Sequence, residues 1–202
     1  MPNSEANLVC RLQLADLPAI QAHLLALDGT DRLQRFSSPA SDETIVAYVR
    51  RLDFTQDALF GVWREIDCRL VLAGLTHLAI DPANRMAELG VSVATDQRRR
   101  GIAGRMLQRA ILHARNVGVE EVAMYFLPYN TELIELAKTL SMKLSAGEGQ
   151  GTAKLRPATA DFVSFAGEMV ESWSELAGRS LRDWSGGTLA ASETLKRLGS
   201  PP

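Results

Sequence analysis

The spacing of apolar and polar residues predicts alternating strands and helices between residue 8 and about residue 155. Short apolar runs and strict apolar–polar alternation are typical of strands. On this basis we expect strands at 8–14, 59–64, 70–80, 86–93 and 119–127. The segment 142–155 has a glycine-rich centre and is expected to form a final hairpin.

Apolar residues that recur every three or four positions predict the helices. We expect helices after Asp16, after Ser41, after Gly101 and over 131–140. Asp28-Gly29 is expected to end the first of them. The order predicts an α/β (α+β) fold with a mixed sheet, in which the early strands form an antiparallel meander. The crossover helix between 86–93 and 119–127 makes those two strands parallel.

After Pro157 the pattern changes to one wide helical stripe. Its apolar members are Phe162, Phe165, Ala166, Met169, Val170, Trp173, Leu176 and Ala177. We therefore divide the chain into a domain over 1–157 and a C-terminal helical extension over 158–202 with a frayed end. A stripe of this width must be buried, either on its own chain or in a homodimer.

The segment 86–107 contains the most specific motif of the chain, a strand followed by a basic, glycine-containing turn and a helix. Free N–H groups and the dipole at a helix start favour an anion, and glycine permits close approach. The spacing fits neither a P-loop nor a dinucleotide fingerprint. A basic turn that merely caps an ordinary helix is the alternative explanation.

The run Arg98-Arg99-Arg100-Gly101-Ile102-Ala103 resembles the pyrophosphate signature of the GNAT superfamily of acyl-CoA-dependent N-acyltransferases, Gln/Arg-x-x-Gly-x-Gly/Ala. The resemblance extends over about residues 8–155, and it is strongest to bacterial members that modify proteins or small amines. It implies a GNAT fold whose central parallel strands splay apart around acetyl-CoA. The implied cofactor-binding residues are Val91, Val93, Arg98, Arg99, Arg100, Gly101, Ile102, Ala103, Gly104 and Asn130.

N-acetyl transfer needs a deprotonated amine, a held thioester and donors for the developing oxyanion. Glu88 is the preferred general base, because several relatives use a glutamate on this strand, and His77 on the neighbouring strand is the second candidate. Each also has a purely structural interpretation, as a surface ion pair or a hydrogen-bonded core histidine. The connection at 31–36 helps to shape the acceptor side in the family, which makes Arg32, Arg35 and Phe36 candidates for substrate contact.

One residue departs from the family pattern. Where many members place a tyrosine that protonates the departing thiolate, alignment from Asn130 gives Ala137. Tyr125 or Tyr129 could replace this acid. The departure also keeps open an alternative function, that of a non-catalytic domain that binds CoA or acyl-CoA and regulates.

Composition limits the partners. With 22 basic and 24 acidic residues the net charge is −2, which argues against general binding to nucleic acid or to a membrane surface. Two cysteines and no metal-ligand spacing indicate neither a disulfide scaffold nor a metal site. No leader or long apolar run is visible. We expect a cytoplasmic N-acetyltransferase that uses acetyl-CoA and a primary amine acceptor, without a metal.

Overall fold

A computed structural model describes residues 8–147, 149–161 and 163–169. Seven strands form one sheet. They are β1 (Val9–Arg11), β2 (Ala58–Ile66), β3 (Arg69–Asp81), β4 (Met86–Val93), β5 (Glu121–Phe126), β6 (Lys143–Ala146) and β7 (Gly151–Leu155). Their order across the sheet is β1-β2-β3-β4-β5-β7-β6. The predicted mixed sheet and the α/β class are confirmed.

Strands β4 and β5 are parallel, and every other neighbouring pair is antiparallel. The parallel ladder is short: Met86, Ala87 and Glu88 pair with β5, and the pairing then stops. On its other side β4 stays paired with β3 as far as Val93. The two central strands therefore diverge after Glu88, as the resemblance implied.

Helices cover both faces of the sheet. They are α1 (Leu17–Leu25), α2 (Gly29–Phe36), α3 (Asp42–Arg50), α4 (Ile102–Asn116) and α5 (Thr131–Thr139). One buried cluster joins Phe60 and Leu78 of the sheet to Leu107 of α4. Another joins Leu59 and Leu75, from the opposite face, to α1 and α3. Burial on both faces explains why β2 and β3 are apolar at consecutive positions.

Capping side chains begin several helices where the sequence predicts them. The Ser41 hydroxyl accepts the Thr44 N–H, and the Asn130 side chain accepts the Leu133 N–H. Asp16 was expected to cap the first helix, but its carboxylate accepts the Gln13 N–H instead. It lies in a short 3-10 turn, Leu14–Asp16, which ends the first strand earlier than expected.

The helix α2 was not predicted. The sequence pattern suggested that Asp28-Gly29 ends a helix and that 31–36 is a connection. In the structure α1 ends at Leu25, and the Asp28 carboxylate accepts the Asp31 N–H to begin α2. The same residue types stop and start helices, because Asp is a good N-cap and Gly tolerates either role.

The described part of the C-terminal helix, residues 163–169, contacts α4 through polar side chains. Glu168 accepts hydrogen bonds from Asn116 (2.6 Å) and Arg109 (3.0 Å), and it pairs with His113 (2.6 Å). The predicted apolar stripe is not buried at Phe165 and Met169, which are 49% and 60% exposed. Phe162 and the stripe from Val170 onward lie outside the described residues.

Acidic pH is predicted to weaken the Glu168 contact. Burial alone would raise the pKa of this carboxyl, but hydrogen bonds from His113, Asn116 and Arg109 outweigh it and lower the pKa from 4.5 to about 2. The stabilisation is therefore present above pH 4.5 and is lost as the pH falls towards 2. We expect Glu168→Gln to be less stable than wild type at neutral pH, with the difference shrinking in acid.

Urea unfolding of both proteins between neutral and acidic pH would measure this difference. Glu65→Gln, which changes an exposed carboxylate on β2, is the control and should follow wild type throughout. A Glu168→Gln difference that does not vary with pH would contradict the assigned contact.

Candidate active site

The turn before α4 has the backbone geometry of an anion cradle. Arg99 and Gly101 both have positive φ, 63° and 72°, and Gly101 is the N-cap of α4. The first hydrogen bond back to this turn comes from the Arg105 N–H, which donates to the Gly101 carbonyl at 3.2 Å. The N–H groups of the first helical turn lack intrahelical acceptors. They are therefore available to a phosphate.

This cradle opens into a cavity of about 550 Å³ that we name the large cavity. It lies where β4 and β5 diverge. Nine predicted cofactor residues line it: Val91, Val93, Arg98, Arg99, Gly101, Ile102, Ala103, Gly104 and Asn130. Arg100 is exposed and does not line it. Residues separated by up to 39 positions in the sequence thus surround one space.

The three arginines of the motif have different environments. Arg98 forms an ion pair of 2.5 Å with Asp31 of α2, whose side chain is buried. The hydrogen bond that Arg98 donates to this carboxylate raises the pKa of Arg98. Arg99 is 86% exposed and lies 4.0 Å from Glu132. Arg98 therefore fastens the turn to α2, whereas Arg99 leaves its guanidinium accessible beside the cavity.

A second cavity of about 220 Å³, the small cavity, adjoins the first. The two share Gln34, Arg35, Val91 and Leu133 in their walls. The predicted catalytic residues Glu88 and Tyr125 both line the small cavity and are exposed. They lie on neighbouring strands and face the same side of the sheet.

His77 lines neither cavity. Its Nε2 lies 3.0 Å from the Asp57 carboxylate, and its Nδ1 lies 2.7 Å from the Tyr48 hydroxyl. Burial tends to raise the pKa of Asp57, but hydrogen bonds from His77 and the Ile80 N–H outweigh it and lower that pKa. Tyr48 does line the small cavity. The Tyr48 hydroxyl therefore links the His77 ring to the small cavity.

The candidate substrate-contacting residues of α2 lie in two different environments. Arg32 donates to the carbonyl groups of Leu25, Leu27 and Ala40 and pairs with Asp42. These bonds occupy the guanidinium of Arg32, which links the end of α1 to the start of α3. Arg35 and Phe36 line the small cavity instead.

Sequence reasoning missed a hydrogen-bonded pair, His23 and Ser92, of which Ser92 lines the large cavity. His23 Nδ1 lies 3.1 Å from the Leu72 carbonyl, and its Nε2 lies 2.9 Å from the Ser92 hydroxyl. Burial lowers the pKa of His23 to about 4, so the ring is neutral at pH 7. Because a carbonyl only accepts, Nδ1 carries the proton and Ser92 donates to Nε2. No local pattern connects these two positions.

Ala137, at the position of the family tyrosine, is fully buried in the main core and lines neither cavity. Within the described ranges, no helix has both the length and the apolar character to cross a bilayer. The same residues contain no group of three His, Cys, Asp or Glu side chains arranged for a metal ion. Cys10 is buried, and Cys68 is exposed and free.

The sequence model of the Acetyltransferase (GNAT) family matches residues 27–142, more than half of the 202-residue chain. The chain therefore belongs to the GNAT family, as the motif predicted. Family membership supports an acyltransferase of the N-acetyltransferase type, and members of this fold bind acetyl-CoA and an acceptor.

Solved structures agree on the fold. The chain is similar to the GNAT domain of PAT from S. lividans, with a TM-score of 0.60, 17% identity, and coverage of 73% of this chain and 89% of that chain. It is similar to spermidine N-acetyltransferase from Vibrio cholerae in complex with CoA and spermine, with a TM-score of 0.56, 17% identity, and coverage of 74% of this chain and 94% of that chain. It is also similar to the ribosomal-protein-S18-alanine N-acetyltransferase from Escherichia coli, with a TM-score of 0.55, 17% identity, and coverage of 76% of this chain and 96% of that chain.

Removing the Ser92 hydroxyl is predicted to destabilise the protein. The change Ser92→Ala leaves the enclosed Nε2 of His23 without a donor, at a cost of about 1–3 kcal/mol. Urea unfolding at pH 7 would measure this loss of stability. The control is Ser145→Ala, at an exposed position of β6, and equal stability of the two variants would contradict the His23–Ser92 bond.

Proposed function

We propose that this protein transfers an acetyl group from acetyl-CoA to a primary amine, with the large cavity holding acetyl-CoA and the small cavity holding the acceptor. The observation that carries this proposal is the convergence of nine motif residues on the large cavity, together with its shared wall at Val91. Acetyl-CoA supplies the activated acetyl thioester. The remaining tasks belong to side chains and backbone groups of this chain.

The cradle fits a pyrophosphate in charge and in space. The free N–H groups at the start of α4 and the exposed Arg99 provide donors and positive charge. A Cβ at Gly101 would meet no protein atom closer than 3.9 Å. The space in front of the turn is therefore open to a ligand.

The edge of β4 is the proposed contact for the pantetheine arm. After Glu88 this edge has no partner in β5, so its N–H and C=O groups can pair with an extended ligand that has amide groups. Val91 and Val93 lie on this stretch and line the large cavity. Asn130 borders the same cavity from the start of α5.

Glu88 is the proposed general base. An amine is protonated at neutral pH and must lose a proton before it attacks. The Glu88 carboxylate lies on the wall of the small cavity, three residues before Val91, where the two cavities share their lining. A positioned base of this kind contributes about 10²- to 10⁴-fold to the rate.

Two further residues have proposed proton-transfer roles. His77, held by Asp57, can accept a proton that passes through Tyr48. Tyr125 on β5 is the proposed acid for the departing thiolate, because it lines the small cavity on the opposite strand. It would perform the task that Ala137 cannot.

The alternative is a domain of the same fold that binds acyl-CoA without turnover. The observation in its favour is the burial of Ala137, which leaves α5 without the family acid at that position. Acetyl-CoA binding without thiol release for any class of amine would support it. We also propose a cytoplasmic location, and a homodimer stays a prediction.

The cradle predicts that Gly101→Val weakens acetyl-CoA binding at least about tenfold, because each 1.4 kcal/mol of lost contact is tenfold in affinity. The branched side chain would occupy the space in front of the turn. Calorimetric titration with acetyl-CoA measures the affinity. Gly118→Val is the matched control, since Gly118 also has positive φ, 80°, but lies at the other end of α4.

Both variants suffer backbone strain of about 1–2 kcal/mol, so their stabilities should fall together. Only Gly101→Val should lose affinity. If the two bind acetyl-CoA equally well, the cradle assignment is wrong.

The proposed base predicts that Glu88→Gln lowers kcat about 10²-fold or more and leaves acetyl-CoA affinity near that of wild type. Thiol release with the best acceptor of an amine screen, measured against pH, tests this. Glu65→Gln, at an exposed carboxylate outside both cavities, is the control. An unchanged rate for Glu88→Gln would remove Glu88 as the base.

A further inference from the structure

The guanidinium of Arg35 is held in a defined place between the two cavities. It lies against the backbone of β4, where a Cβ added at Gly90 would be 2.5 Å from both of its Nη atoms. The rings of Phe36 and Tyr48 lie 5.0 and 5.5 Å from its central carbon. Its Nη2 donates to the Tyr48 hydroxyl at 2.9 Å. Glycine at position 90 is what lets this charge lie on the strand.

No carboxylate pairs with Arg35 in the part of the chain that the structure describes. Other arginines that are largely buried do have such partners, as Arg98 has Asp31 at 2.5 Å and Arg109 has Glu168 at 3.0 Å. Among the described residues, the Nε of Arg35 is enclosed and has no acceptor, and Nη1 makes no hydrogen bond. The charge is thus half-buried, fixed and uncompensated, which is costly unless an anion binds.

The small cavity also has a negative wall. Arg35 and Glu88 both line it, yet no ion pair joins them within 4.0 Å. Opposite charges that are held apart on one cavity of about 220 Å³ match a ligand with both charges of its own. The rings of Phe36, Tyr48 and Tyr125 also line this cavity and add no charge.

We propose that Arg35 binds a carboxylate of the acceptor, and that the acceptor is therefore a small amino acid whose amino group faces Glu88. This inference rests on the proposed function, because it names the substrate class of the same site. Arginine suits this task, since its planar donors match a carboxylate at two points. A polyamine would bring a second positive charge towards Arg35 and be repelled.

Matched acceptors test the proposal. Thiol release from acetyl-CoA is measured with the standard L-amino acids, β-alanine and 4-aminobutyrate, with their carboxamides, and with spermidine. We expect kcat/KM for the best amino acid to exceed that of its amide about ten- to hundredfold, the range for a lost charged hydrogen bond. Spermidine should be a poorer acceptor than that amino acid.

Two variants remove the carboxylate site in different ways. Arg35→Gln deletes the charge, and Gly90→Ala keeps the charge but displaces the guanidinium from β4. Both should reduce the preference for acid over amide to within about threefold. Arg50→Gln, at an exposed arginine of α3, should retain the wild-type preference.

Calorimetry separates this inference from the proposed function. The amino acid and its amide are titrated into the wild type and Arg35→Gln, each with and without CoA, so that binding is read without turnover. Amide or spermidine binding as tight as that of the amino acid would overturn the inference. An Arg35→Gln variant that keeps the wild-type preference for the amino acid over its amide would also overturn it. If Arg35→Gln loses only acetyl-CoA affinity, Arg35 belongs to the cofactor site instead and the inference is again overturned.

Failure of the proposed function would give results that differ from failure of this inference. Wild-type protein that binds no acetyl-CoA would overturn the assignment of the large cavity, while titration of the amino acid into ligand-free protein would still decide the role of Arg35. Acetylation of amines with no preference for a carboxylate would overturn the inference alone.

Discussion

The structure depends on a single constraint in the sheet, the early separation of the parallel pair β4 and β5. Only the first three residues of β4 pair with β5, whereas β3 supports β4 along its whole length. A strand edge without a partner normally exposes N–H and C=O groups that need acceptors and donors. Here that edge faces the large cavity, which is why we propose it as the surface for an extended ligand.

Helix α2 ties the acceptor side to this opening. Asp31 pairs with Arg98 of the phosphate turn, and one turn later Arg35 rests on Gly90 of β4. The helix thus contacts both the turn before α4 and the strand edge, so that its position helps to shape both cavities. Tyr48 of α3 bonds to Arg35 and connects the small cavity to His77 and Asp57. The hydrogen bonds around the small cavity therefore depend on helix packing as much as on the motif itself.

Much of the fold could be predicted because its signals are local. The N-caps at Ser41 and Asn130 act on N–H groups three residues away, and the apolar period of α4 reflects one helix face. The phosphate turn is equally local, since Gly101 and the helix start are contiguous. Helix α2 was missed because Asp28-Gly29 can stop one helix or start another, and only the surrounding contacts choose between them.

The sequence by itself determined the class of the protein and, among the described residues, the order of the strands and of the helices other than α2, because these follow from backbone preferences within a few residues. Tertiary structure alone decided which charged side chains are already paired within the protein and which are not. Arg98, Arg32 and Arg35 look alike in the sequence, yet the first pairs with Asp31, the second holds helix ends, and the third has no carboxylate among the described residues. The physical reason is that ion pairs and desolvation depend on which elements pack together, and composition carries no such information.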